Sequence, residues 1–119
     1  GKFNIVDFSD GLKITQYHPI KINNTWAFPC SIKKGEIVDC PKVYNLVLRS
    51  GHTIEIDGIE CVTLGHGFTD PIVQHDYFGS KNVITDLMLY EGYNKGLISV
   101  NQEDYKRGGK DNTVISISK

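Results

Sequence analysis

No apolar run in this chain of 119 residues approaches the length of a membrane-crossing helix, and a cleavable signal is not expected at its start. Neither sign of charge is in excess. Thirteen basic and 14 acidic residues leave a formal charge of -1, which removes the electrostatic footprint expected of a nucleic-acid or anionic-membrane partner. The three cysteines, Cys30, Cys40 and Cys61, are odd in number and contain no C-x-x-C pair. That pattern argues against a disulfide framework and reads as reduced, buried thiols. The four histidines have no acidic or thiol partner at ligand spacing, so no metal centre is expected and no cofactor is implied. Internal repeats and low-complexity segments are missing too. So is G-x-S-x-G or any comparable nucleophile–base motif, which weakens the case for a hydrolase acting on external substrates.

What the chain has is glycine, 12 of them, together with many β-branched residues. One turn-rich, mostly β domain follows, long enough for a single core. Phe3 to Ile14 reads as a hairpin turning at Ser9-Asp10-Gly11. Ile20 to Cys40 reads as irregular, with one short strand at Trp26 to Ser31 and Trp26 as a core plug. Val43 to Leu48 reads as a strand. His52 to Ile56 and Ile59 to Leu64 form a second hairpin about Asp57-Gly58. Ser80 caps a single helix predicted over Lys81 to Glu91, with Gly92 as its stop and Val83, Ile84, Leu87 and Met88 on its core face. Gly96 to Val100 and Thr113 to Ser118 read as late strands, with Lys106 to Asn112 an exposed loop between them.

The stretch with chemistry in it is Thr15-Gln16-Tyr17-His18-Pro19-Ile20. A hydroxyl and an imidazole leave a strand three residues apart, which are parts suited to binding and protonating an amide as it breaks. Each also has a plainer reading. Thr15 is a β-former on a strand, and His18 could be a strand-end histidine bonded to backbone. His52 follows a Ser-Gly turn, where a solvated histidine is common. His66 lies between Gly65 and Gly67, a setting for close backbone approach or for a simple exposed turn. His75 reads as structural or exposed, Cys61 as a small buried hydrophobe, and Cys30 as the more accessible thiol.

In order, Ile14 to Ile20, Val43 to Leu48 and Gly51 to Ile59 resemble the self-processing Hint fold of hedgehog C-terminal domains and inteins. The first matches its T-x-x-H block, the others the block in which a "vYdL" strand precedes a histidine, a hairpin and "v-G-I". Cys61 to Gly67, His75 to Gly79 and Val83 to Leu87 are similar to the later half of the Vint type, found beside von Willebrand A modules. The resemblance implies a β fold of long bent hairpins with one helix in its second half. It implies autoprocessing without a cofactor: a Cys or Ser attacks the preceding carbonyl, giving a thioester or ester, while Thr15 and His18 assist. His52 matches the later-block histidine and would share one shallow pocket with them, and His66 is expected at or near its rim. The substrate would be the chain's own upstream flanking polypeptide. Two departures qualify this. The nucleophile block is not in the sequence, which therefore reads as a domain lacking its first portion, whose uncovered strand edge would be covered by a neighbouring chain or by the chain's own tail. The intein His-Asn pair is also missing, so N-terminal cleavage is the chemistry left. The alternative is a β-rich interaction module that keeps the scaffold and has lost the reaction.

Overall fold

The computed structural model describes residues 1–8, 11–108 and 111–119. It is mostly β, with three sheets, only antiparallel pairings among the described residues, and one main helix. The first sheet has the order β2-β1-β5, built from β1 (Lys2–Asp7), β2 (Lys13–Thr15) and β5 (Glu36–Asp39). β1 and β2 are the expected first hairpin, with Asp7 opposite Lys13. Its proposed turn residues Ser9 and Asp10 lie outside the described residues.

The second sheet has the order β4-β3-β7-β6 and contains two hairpins. β6 (Thr53–Ile56) and β7 (Ile59–Val62) turn at Asp57-Gly58, as expected. Both turn residues have positive φ, 50° and 80°, the twist that a two-residue hairpin needs. β3 (Ile20–Ile22) and β4 (Thr25–Ala27) turn at Asn23-Asn24, where φ is 51° and 63°. This second hairpin corrects the irregular reading of Ile20 to Cys40. Three-residue strands are too short to display a period of two, although the Asn-Asn pair is itself a turn signal. Beyond Ala27 the chain turns helical, not extended, in the single turn α1 (Pro29–Ile32), with proline at the helix start.

Trp26 is not a core plug. It is half-buried on edge strand β4, its ring 5.8 Å from that of Phe68 and 5.5 Å from the Lys21 ammonium. The first core instead gathers Val6, Leu12, Ile14, Ile20 and Cys61, where the first two sheets meet.

The second core lies between α2 (Lys81–Leu87) and the hairpin of β8 (Tyr105–Gly108) and β9 (Thr113–Ile117), and gathers Tyr77, Val83, Leu87, Tyr90, Val114 and Ile117. Ser80 Oγ accepts from the Asn82 amide at 3.1 Å, the expected cap. The helix is shorter than predicted. After Met88 the amides bond to carbonyls three residues back, and this tightened chain carries Tyr90 inward. There its hydroxyl donates to buried Asp104 at 2.9 Å. Burial, and then that carboxylate, push the Tyr90 pKa up to about 12. Gly92, with φ 97°, opens a 3-10 turn at Tyr93–Lys95 and does not stop the helix.

Three further expectations are corrected. Gly96 to Val100 forms no strand, and Lys106 to Gly108 belong to β8, where a bulge between Lys106 and Arg107 hid the alternation. Val43 to Leu48 is not a strand. Its alternation fits a pleated surface, but a strand exists only against a partner, and none of the described strands pairs with it. It crosses from the first sheet to the second, tied by the Leu64 amide donating to the Leu46 carbonyl at 3.0 Å.

Candidate functional site

Thr15 ends β2, and the chain folds back at once, with the His18 amide donating to the Thr15 carbonyl at 3.2 Å. This tight turn brings residues 15 and 18 to one side of the chain. Beyond it, Pro19 accepts from the Val62 amide at 3.2 Å and β3 begins its ladder with β7. The His18 side chain extends that ladder, its Nε2–H donating to the Val62 carbonyl at 2.7 Å. His18 is therefore held on β7 by its ring and on β2 by its backbone. Burial lowers its pKa below the ordinary histidine value, against a smaller opposing effect of the Val62 carbonyl. The ring is neutral near neutral pH, and with Nε2 committed as donor its free nitrogen is Nδ1, an acceptor.

Thr15 and His18 line one cavity of about 540 Å³, which opens between the first sheet, the β6–β7 hairpin and the crossing segment 42–46. Its walls are mainly apolar, with Ile14, Leu46 and Val62 beside the two polar residues. Lys13, Asp39, Lys42 and Asn45 line it as well, so polar and charged groups stand among the apolar ones that would hold a ligand.

His52 lies next to this cavity but faces another. It lines a space of about 440 Å³ with Arg49, Ile84 and Tyr93. Its backbone is left-handed, φ 56°, unusual for a residue with a Cβ, and its Nδ1 is buried with no hydrogen-bond partner. The link to the first cavity is by backbone, since the Thr63 amide donates to the His52 carbonyl at 2.9 Å. The expected single pocket is thus two neighbouring ones.

His66 lines neither. It is 8% exposed, its Nδ1 accepting from the Phe68 amide at 2.9 Å and its ring stacked on Phe68 at 5.1 Å. A Cβ on Gly79 would come within 2.8 Å of this ring, so the glycine is what lets it pack. Burial lowers its pKa, and the charges His52 and His75 would carry lower it further. His75 is structural as well. Its Nδ1 accepts from the amides of Tyr77 and Phe78 at 3.1 and 2.9 Å.

Among the described residues no group of three or more His, Cys, Asp or Glu is placed to hold a metal ion. Burial pushes the Cys61 thiol up to about 11, which makes it a packing group and not a nucleophile. Two residues of the first cavity escaped the sequence reading, Cys40 and Thr63. Cys40 sits in the Asp-Cys-Pro sequence after β5, where only a strand end beside the site could have pointed to it.

A turn carrying Thr and His, latched onto a neighbouring strand over a largely apolar cavity, is geometry that can receive an amide and exchange a proton with it. No curated protein matches the chain. The sequence model of the Vint family, described as a Hint-domain, matches residues 2–116. Nearly the whole chain, the Thr15–His18 turn included, falls within that match, and the chain belongs to the Vint family of Hint domains.

Proposed function

We propose that this domain cleaves the polypeptide that precedes it by an acyl shift at the Thr15–His18 cavity. A Cys or Ser of the upstream flank supplies the nucleophile. In the first step its sulfur or oxygen attacks the carbonyl carbon of the preceding residue, the new C–S or C–O bond forms, and the C–N bond breaks. The proton lost by the nucleophile passes to His18 Nδ1 and from there to the departing nitrogen, so the shift is an isomerisation with no net proton change. Water or another nucleophile then takes the acyl group and returns the thiol or hydroxyl. The observation that carries this reading is the fixed His18 ring, with Nε2–H on the Val62 carbonyl, lining one cavity together with Thr15. His52, one backbone bond away, supports the wall of the cavity.

The experiment is hydroxylamine treatment of the full-length protein, translated from the natural start of its reading frame. The expected product is an upstream segment ending in a hydroxamate. A chain that stays intact, with no hydroxamate, overturns the reading.

An interaction module is the second reading, favoured by the uncovered apolar strip from β5 to Val47. There Ile37 is 65% and Tyr44 74% exposed. Pairing of this strip with a second copy is the self-association it proposes. A concentration-dependent dimer that yields no hydroxamate supports that reading over the first.

A further inference from the structure

The loop of residues 66–79 lies between β7 and α2, and its two ends are clasped. The Gly65 amide donates to the Phe78 carbonyl at 2.7 Å and the Gly67 amide to the Gly79 carbonyl at 2.8 Å. Inside the clasp two imidazoles serve as acceptors. His66 Nδ1 takes the Phe68 amide at 2.9 Å, and His75 Nδ1 takes those of Tyr77 and Phe78 at 3.1 and 2.9 Å. An amide only donates, so in both rings Nδ1 is bare and Nε2 carries the hydrogen. A second proton can enter only at Nδ1, where it would replace three hydrogen bonds by N–H groups facing N–H groups. His18 differs, since its bonded atom is Nε2–H, which protonation leaves in place.

Little around the two rings would welcome the charge. His66 is faced by His52, His75 and the Val73 carbonyl, and His75 by Asp76, whose Oδ1 also accepts from the Gln74 amide group at 2.7 Å. Asp70, the loop's other carboxylate, accepts from the Ile72 amide at 2.9 Å. Burial lowers the pKa of both histidines below 6.5, against the smaller opposing pulls of Val73 and Asp76. The open loop therefore binds more protons than the closed one. The clasp holds fully above 6.5 and weakens as the pH falls below it.

We infer that the loop of residues 66–79 is an acid-sensitive latch, which opens when His66 and His75 each take up a proton at Nδ1 while the first two sheets stay folded. The latch stands apart from the acyl shift. Opening parts Phe68 from the ring of Trp26, 5.8 Å away and the chain's one tryptophan. It also removes the Tyr77 carbonyl that holds the Ser80 hydroxyl at 2.7 Å, so the cap of α2 loosens.

Amide hydrogen exchange of the 119-residue chain, expressed as protection factors from pH 7.5 to 4.5, tests the latch. Protection of the Phe68, Tyr77 and Phe78 amides should fall below pH 6.5, approaching about 10²-fold per pH unit, the limit for two protons. The amides of β3 and β7 should keep theirs, and Trp26 emission should move to the red over the same range. In His75→Asn the side-chain oxygen can take the amide two residues on but does not titrate, so the slope should drop to about 10-fold per unit. Loop protection that stays flat to pH 4.5 overturns the inference. So does loss in step with β3 and β7, which is global acid unfolding, or a two-proton slope retained by His75→Asn. Should that variant not fold, the profile of the unmodified chain decides alone.

Discussion

His18→Ala is expected to slow release of the upstream segment about 10²–10⁴-fold, the range for losing a positioned general acid–base group, while His75→Ala leaves the rate unchanged. The contrast follows from where the rings are tied. His18 spends one nitrogen on the Val62 carbonyl, and the residue lines the cavity. His75 spends Nδ1 on two backbone amides inside its own turn and has no place among the cavity walls. Removing His18 also deletes the side-chain bond to β7, while Thr15 keeps its place in the β1–β2 ladder. Time courses by mass spectrometry separate the variants. Equal rates for the two would remove His18 from the chemistry.

Ile20→Ala is expected to have the largest effect on stability, about 3 kcal/mol within the usual 2–5 for this truncation in a core. Ile20 is fully buried and is the first residue of β3, opposite Ala27 on one side and Cys61 on the other. It therefore joins both neighbouring strands of the second sheet and packs with Val6 and Ile14 of the first and with Leu12 just before β2. Because Leu12 and Ile14 also wall the cavity, a void at Ile20 loosens the site as well as the fold. The unfolding midpoint should drop by roughly 10 °C. Leu89→Ala, at a position 84% exposed, should stay within about 0.5 kcal/mol of the unmodified protein. Denaturant titration of both variants checks the pair.

The Thr15–His18 turn was legible because its geometry is local, and Asp57-Gly58 was legible because a two-residue hairpin needs positive φ at both positions. Ser80 announced its helix by composition alone, through a side chain that bonds two residues away. Val43 to Leu48 failed for the opposite reason. Its alternation states which faces it offers, and only the rest of the fold decides whether a strand lies alongside.

The same limit applies to the tyrosines. Tyr77 and Tyr90 find Asp86 and Asp104 across the second core, at 2.6 and 2.9 Å, and nothing in their local sequence ties the pairs together. The division of the site into two cavities was hidden as well, since it depends on His52 taking a left-handed backbone and turning away from β7. Thr63 is the extreme case. A threonine at a strand end is unremarkable until every neighbour is placed and its hydroxyl is found without a partner.

The central claim is the state of the His18 ring: neutral, Nε2 protonated and bonded, Nδ1 open to a proton. Nitrogen-15 shifts of the four imidazoles, followed through a pH titration of the 119-residue chain, measure it directly. His18 should show the Nε2–H tautomer near neutral pH and take its second proton only below the ordinary value of 6.5. The sign carries through to stability. A folded state that binds its proton later than the unfolded chain keeps its full contribution above that value and loses it as the pH falls below. An Nδ1–H tautomer, or protonation of His18 above 6.5, would contradict the account.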